Sequence, residues 1–214
     1  MNVLTKFKDL TIESLKDNKK LIIGLYLLFI ICFILAWILS GNMINSAITN
    51  MNSINTSASN PTMDSQVSAI DLLIHNQWSG LLTYITSIFF GIPAILFLIY
   101  NGVNLGLFGQ LFSTLIPNGG LKYLIYLIPH GIFEITSTVL QSVAGLLLFY
   151  FIWSFIKAMR SDETNGMHDS FDKTKKILIQ SIVIFIFSAI LLVIAAPIEA
   201  YFSLPFSEFI LGML

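Results

Sequence analysis

Long apolar runs that carry almost no charge constrain this chain more than any other feature. The first covers residues 21–39, and further runs cover 81–100, 103–116, 121–156 and 177–196. A helix needs about 20 predominantly apolar residues to cross the hydrocarbon core of a bilayer. Because 56% of all residues are hydrophobic and only 11% are charged, a soluble domain could not bury this surface. The runs therefore predict an all-α, polytopic membrane protein.

The charge balance and the cysteine count exclude several functions. The 11 basic and 12 acidic residues nearly cancel, so the chain has no overall charge with which to hold nucleic acid. Cys32 is the single cysteine, which excludes an intrachain disulfide and a cysteine-based zinc site. We expect no cofactor and no nucleic-acid partner.

The distribution of basic residues predicts the topology. Five basic residues precede the first run, none lies within 41–78, and five lie within 157–176. Basic segments stay on the cytoplasmic side, so we expect a plasma-membrane protein with a cytoplasmic N-terminus, an extracytoplasmic loop at 41–78 and a cytoplasmic loop at 157–176. Residues 1–20 place apolar side chains among charged ones at a helical spacing, which suits an amphipathic helix on the cytoplasmic membrane surface.

An odd number of crossings must then join the two loops. We predict three: residues 81–100, a broken or re-entrant element over 103–128, and residues 132–156. With 21–39 and 177–196 they make about five transmembrane helices, all within a single transmembrane domain at 21–214. The C-terminus then lies outside the cytoplasm.

The stretch PHGIFE places ionisable side chains inside an apolar run. Pro129 removes a backbone donor and Gly131 loosens the chain, so we predict a break in the helix at this point. His130 and Glu134 are four residues apart and would share one helical face. In one interpretation they form a structural hydrogen-bonded pair; in another they bind a proton or cation, as ionisable residues within membranes commonly do. A third is metal-dependent hydrolysis, but the pair supplies only two ligands and the identity of any metal stays open.

Other residues could complete this site or shape the bundle around it. We interpret Glu199 as an interfacial carboxylate in preference to one that converges on His130. The amide of Gln141 needs a partner outside its own helix. Gly102 and Gly106 are spaced for close helix contact. The remaining candidates are Asn101 and Asn104 for binding, and Gly145 for packing.

Several of these motifs together resemble the stage II sporulation protein M family. They are the Asn101–Gly102 pair followed by Gly106, then PHGIFE with Gly145 downstream, and the sequence AAPIEA at 195–200. The resemblance covers residues 76–201. It implies a protein of roughly five spans, and in the sporulation member a scaffold that recruits peptidoglycan-degrading partners.

The function that we predict from these observations is a non-enzymatic membrane scaffold or assembly factor. The partners that we expect are the lipid bilayer and either another membrane protein or a cell-envelope enzyme. A homodimer is a further alternative. The alternative is a transporter or channel for a cation, a proton or a small polar solute. An intramembrane metal-dependent hydrolase is the third hypothesis.

Overall fold

A computed structural model describes residues 2–54, 68–161 and 166–213 of the chain. Residues 55–67 of the predicted extracytoplasmic loop and 162–165 of the predicted cytoplasmic loop lie outside the described residues. The described parts contain helices and no strands, which confirms the all-α prediction. The helices are α1 Val3–Asp17, α2 Lys19–Leu39, α3 Gly41–Ile54, α4 Ala69–Thr86, α5 Ile92–Leu115, α6 Gly119–Met159, α7 Met167–Pro197, a π-helical turn Ile198–Phe202 that we call the π-turn, and α8 Ser203–Gly212.

Four helical stretches among the described residues are long and apolar enough to cross a membrane. They are α2, α5, α6 and the continuous stretch Met167–Gly212, which α7, the π-turn and α8 form together. This count is one lower than the five that we expected. The interior where these helices meet is apolar, with Leu98, Val139 and Ile184 fully buried.

The start of α7 lies beside the end of α1. Lys176 Nζ is 2.9 Å from a carboxylate oxygen of Glu13 and 2.9 Å from one of Asp17. Gln180 Nε2 donates to Asp17 at 2.8 Å. The hydrogen bond from Lys176 holds the pKa of Asp17 below its usual value, so the pairing persists near neutral pH and weakens only in acid. The basic segment at the N-terminus and the basic start of α7 thus lie at the same end of the bundle, as the predicted topology requires.

Close contact between α2 and α5 depends on small residues. Gly102 faces the backbone of Phe29, and Gly106 faces Phe33 and Ala36. A Cβ atom at Gly106 would lie 2.8 Å from Ala36 Cβ and still closer to the carbonyl oxygen of Phe33. Small residues at such positions let two backbones approach, and in lipid this packing is a main source of helix association.

The chain reverses direction inside a run that we predicted to be one crossing. Ser87–Gly91 is a turn between α4 and α5, and both Phe90 (φ 59°) and Gly91 (φ 66°) adopt left-handed conformations. The prediction of a continuous span over 81–100 is therefore wrong. Hydropathy could not reveal this turn, because Phe89 and Phe90 are as apolar as the helices on either side.

The helix boundaries after this turn differ from the prediction for the same reason. α5 continues through Asn101 and Gly102 as far as Leu115, and α6 begins at Gly119. No broken or re-entrant element covers 103–128: these residues form the end of α5, a short turn and the beginning of α6. The chain still reverses direction twice between α4 and α6, but at 87–91 and 116–118, about a dozen residues before the predicted boundaries.

α4 completes the bundle although it is more polar than the four long helices. The phenolic oxygen of Tyr84 is 3.0 Å from Ser181 Oγ of α7, and Gly80 packs against Gln141 of α6. α4 thus lies between α6 and α7 as a fifth element at the level of the long helices. Its sequence also contains Asp71, His75 and Asn76, which lower its hydropathy.

The helix break that we predicted at Pro129 does not exist. α6 is continuous over 41 residues from Gly119 to Met159, with Pro129 in its interior. A proline removes one intrahelical hydrogen bond and crowds the preceding turn, but contacts with neighbouring helices can keep a transmembrane helix continuous. The irregular backbone instead occurs after Pro197, in the π-turn.

Candidate functional site

A histidine and two glutamates meet where α6 contacts the π-turn. His130 and Glu134 lie on α6, and Glu199 lies on the π-turn. One ligand atom from each of the three side chains lies within 4.8 Å of the other two. We call these three residues the His-Glu-Glu cluster. Glu199 does converge on His130, so its interpretation as a solitary interfacial carboxylate is wrong.

The π-turn positions one side of this cluster. The backbone N–H of Ser203 donates to the carbonyl of Ile198, five residues earlier, which is the π-helical spacing. Pro197 precedes the turn and Pro205 follows it; a proline lacks the N–H that regular helix needs. Single π-turns within α-helices occur frequently at functional sites. This one places Glu199 and Ser203 beside α6.

His130 is the most deeply buried member of the cluster. Its side chain is 3% exposed, and the ring of Tyr126 contacts it edge-on with centroids 5.3 Å apart. Nδ1 is 2.8 Å from Ser203 Oγ. Nε2 faces Glu134 Oε2 at 3.9 Å, which is longer than a hydrogen bond.

Glu134 connects the cluster to α4. Asn76 Nδ2 donates to Glu134 Oε1 at 3.2 Å, and the other carboxylate oxygen points towards His130. Two residues after Glu134 on α6, Thr136 Oγ1 accepts a hydrogen bond from Tyr26 of α2 at 2.5 Å. Since Tyr26 lies well inside α2, the cluster lies at the depth of the apolar helices and not at their ends.

Sequence reasoning missed Asn76 and Ser203. Ser203 follows Glu199 by four residues, the same spacing that separates His130 from Glu134, so helical periodicity could have indicated it. Asn76 lies far away in sequence, and only the packing of α4 against α6 brings it to the cluster.

The other predicted residues lie outside the cluster. Asn101 Nδ2 donates to the carbonyl of Phe97 within α5. Asn104 lies one turn further along α5, partly buried. Gln141 is 1% exposed, and its Nε2 has no hydrogen-bond partner in the described part of the chain. An added Cβ at Gly145 would lie 2.7 Å from Ser87 Oγ, so this glycine packs against the turn before α5.

Hydroxyl groups make further hydrogen bonds between helices in the bundle interior. Ser137 Oγ donates to the carbonyl of Ser188 at 2.8 Å, and Ser181 Oγ donates to that of Ala144 at 2.8 Å. Both bonds join α6 to α7. In an apolar surrounding such bonds each contribute about 0.6 kcal/mol on average to membrane-protein stability.

An apolar groove of about 690 Å³ runs along the outside of the bundle between α2 and α6. Aliphatic and aromatic side chains form its walls, including Phe33 and Ile34 from α2 and Leu124, Ile128 and Ile132 from α6. Gly131 also lines it. The groove is thus distinct in chemistry from the His-Glu-Glu cluster, although both involve the same part of α6.

The helical bundle and its buried polar cluster define a polytopic α-helical membrane protein. The chain belongs to the stage II sporulation protein M family, whose family model matches residues 25–204. It is also 33% identical over 168 residues to the uncharacterised protein MJ0793 of Methanocaldococcus jannaschii, covering 77% of this chain and 88% of that protein. No solved structure matches the chain. The family resemblance inferred from the sequence motifs is confirmed, and the matched segment includes the whole cluster and Ser203.

Proposed function

We propose that this protein is a non-enzymatic scaffold or assembly factor in the cytoplasmic membrane. The observation that carries the proposal is how the buried and half-buried polar groups between the helices are used. Asn76, Tyr84, Ser137 and Ser181 all bond between helices, so they hold the bundle in one arrangement. Large apolar side chains are exposed on each of the four long helical stretches, and such a bundle is suited to presenting a surface to another membrane protein.

The groove between α2 and α6 is the surface that we assign to the partner. Its lining follows about three helical turns of α6, from Leu124 to Ile135, which is a length that a second helix can contact. The proposed occupant is an apolar transmembrane helix of another membrane protein, such as the anchor of a cell-envelope enzyme.

Site-specific photocrosslinking in living cells tests the scaffold proposal. A photoreactive amino acid at Ile128, in the groove, is expected to give one discrete protein adduct, which mass spectrometry then identifies. The same amino acid at Ile190 of α7, which is exposed but outside the groove, is the matched control and should not give that adduct. An adduct of twice the chain mass would indicate a homodimer in place of a different partner. Crosslinks to lipid alone at both positions would contradict the proposal.

Transport of a cation or proton is a second candidate, and the convergence of the three ionisable side chains favours it. Ion flux across a membrane distinguishes the two functions. A scaffold reconstituted in proteoliposomes passes no ions, whereas a transporter shows uptake that His130→Gln abolishes while the protein stays folded. Such uptake would replace the scaffold proposal.

The proposed orientation places the N-terminus and residues 157–176 in the cytoplasm, and it makes a labelling prediction. In a Cys32→Ser background, Ala47→Cys on α3 is expected to react with a membrane-impermeant maleimide in intact cells, because α3 follows the outward end of α2. His168→Cys, which is 94% exposed at the start of α7, is expected to react only after the cells are opened. The reverse pattern would invert the topology.

A further inference from the structure

We propose that the His-Glu-Glu cluster binds one divalent transition-metal ion, of the zinc or manganese class, between α6 and the π-turn. The proposal does not depend on the scaffold function, because the ion would link two helices in either a scaffold or a transporter. It rests on three properties of the cluster: the spacing of its ligand atoms, the hydrogen bonds that orient them, and the balance of charge.

The spacing suits a single ion. Metal–nitrogen and metal–oxygen bonds in zinc sites are about 2.0 to 2.2 Å long, which places ligand atoms about 3 to 4 Å apart. In the cluster these atoms all lie within 4.8 Å of one another, and His130 Nε2 is 3.9 Å from Glu134 Oε2. Small side-chain rotations close the remaining gap.

Hydrogen bonds around the cluster leave only acceptor atoms pointing inwards. Ser203 Oγ lies 3.1 Å from the carbonyl of Ile198 and 2.8 Å from His130 Nδ1; with its own proton on the carbonyl, it accepts the Nδ1 proton of His130. The lone pair of Nε2 then faces Glu134. Asn76 already occupies Glu134 Oε1, which leaves Oε2 for the centre of the cluster.

Those inward-facing atoms have no donor of their own. Nε2 of His130 forms no hydrogen bond to any described residue, although the side chain is almost fully buried. A nitrogen lone pair and two ionised carboxylates that face one another repel unless a cation or a shared proton lies between them. A metal ion supplies the positive charge and bonds to all three.

The charge balance indicates a divalent ion. Two ionised carboxylates with a neutral imidazole carry two negative charges, and charges that are half-buried among apolar helices need compensation. In the described part of the chain no lysine or arginine lies within ion-pairing distance of Glu134 or Glu199. One divalent cation would neutralise the cluster.

The donor set selects the class of metal. One imidazole nitrogen with two carboxylate oxygens suits zinc, manganese or ferrous iron, whereas calcium prefers six to eight oxygen ligands. Ser203 acts as a positioning residue: it fixes the tautomer and the ring orientation of His130, as hydrogen-bond partners of metal-bound histidines do.

Metal binding by the full-length protein in detergent tests the proposal. Protein stripped with EDTA is equilibrated with Zn²⁺ or Mn²⁺, the bound metal is counted by mass spectrometry, and the midpoint of thermal unfolding is measured. We expect one ion per chain and a rise of several degrees that EDTA reverses. Glu199→Gln should weaken binding at least tenfold, and Ser203→Ala, which leaves all three ligands in place, by roughly 10- to 100-fold.

Exposed residues of the same types provide matched controls. Glu208→Gln on α8 and His168→Gln on α7 should bind metal as the wild type does. Metal-free Glu199→Gln should unfold at no lower temperature than metal-free wild type, because Gln keeps the shape and removes a half-buried charge beside a second carboxylate; this separates lost binding from misfolding. Equal metal content in wild type and Glu199→Gln, or no metal-dependent rise in the wild type, would overturn the proposal. Equal stabilisation by Ca²⁺ at the same concentration would overturn the assigned metal class.

Discussion

Gly106→Leu is expected to prevent stable assembly of α2 against α5, and Gly106→Ala to lower the free energy of unfolding by about 1 to 3 kcal/mol. The reason is the contact between Gly106 and the α2 backbone. Even a single methyl group would overlap the carbonyl oxygen of Phe33 and crowd Ala36, and a helix backbone cannot rotate away as a flexible side chain can. Thermal unfolding in detergent, followed by size-exclusion chromatography, measures both effects.

Gly24→Ala is the matched control for this prediction. Gly24 lies on α2, and an added Cβ there meets no atom within 4 Å. Because alanine favours helix over glycine, this variant should be as stable as the wild type or slightly more stable. Equal stability of Gly106→Ala and Gly24→Ala would show that α2 and α5 do not pack as closely as the structure indicates.

Glu134→Ala is expected to lower the unfolding free energy by about 1 to 3 kcal/mol, clearly more than Glu134→Gln. The alanine variant leaves the Asn76 amide without its acceptor and removes packing next to His130. The glutamine variant keeps a side-chain oxygen that can accept from Asn76. The comparison is made by thermal unfolding with EDTA present, so that metal binding does not contribute.

Glu208 supplies the control for Glu134. It is an exposed glutamate on α8, and Glu208→Ala should leave the unfolding midpoint unchanged. If Glu134→Ala were as stable as Glu208→Ala, the carboxylate of Glu134 would be solvated and the contact with α4 would contribute nothing to stability.

The sequence predicts the fold class, and it predicts that the N-terminal helix and the start of α7 lie at the same end of the bundle. Both predictions use signals that extend over whole segments, namely apolar runs and clusters of lysines. The sequence does not predict where the helices end. The turn at Phe90 and Gly91 lies among apolar residues, so hydropathy does not distinguish it from the flanking helices. Proline positions do not predict helix irregularity either. Pro129 lies within a continuous helix, whereas Pro197 precedes the π-turn, and only tertiary packing distinguishes the two cases.

The candidate site could be predicted in part. The sequence indicates His130 and Glu134, because ionisable residues are rare within apolar runs. The position of Glu199 beside them depends on the antiparallel packing of α6 against α7, which brings residues 65 positions apart in sequence together. Asn76 depends in the same way on the packing of α4.

The polarity of α4 has a consequence for how this protein is made. A segment containing Asp71, His75 and Asn76 is a poor substrate for insertion by the translocon on its own, since each polar side chain opposes entry into lipid. The partner of Asn76, Glu134 on α6, is synthesised later, and so is Ser181 on α7, which contacts Tyr84 of α4. We therefore expect α4 to pack into the bundle only after α6 and α7 have been made, and a nascent chain truncated before α6 to leave α4 unpacked.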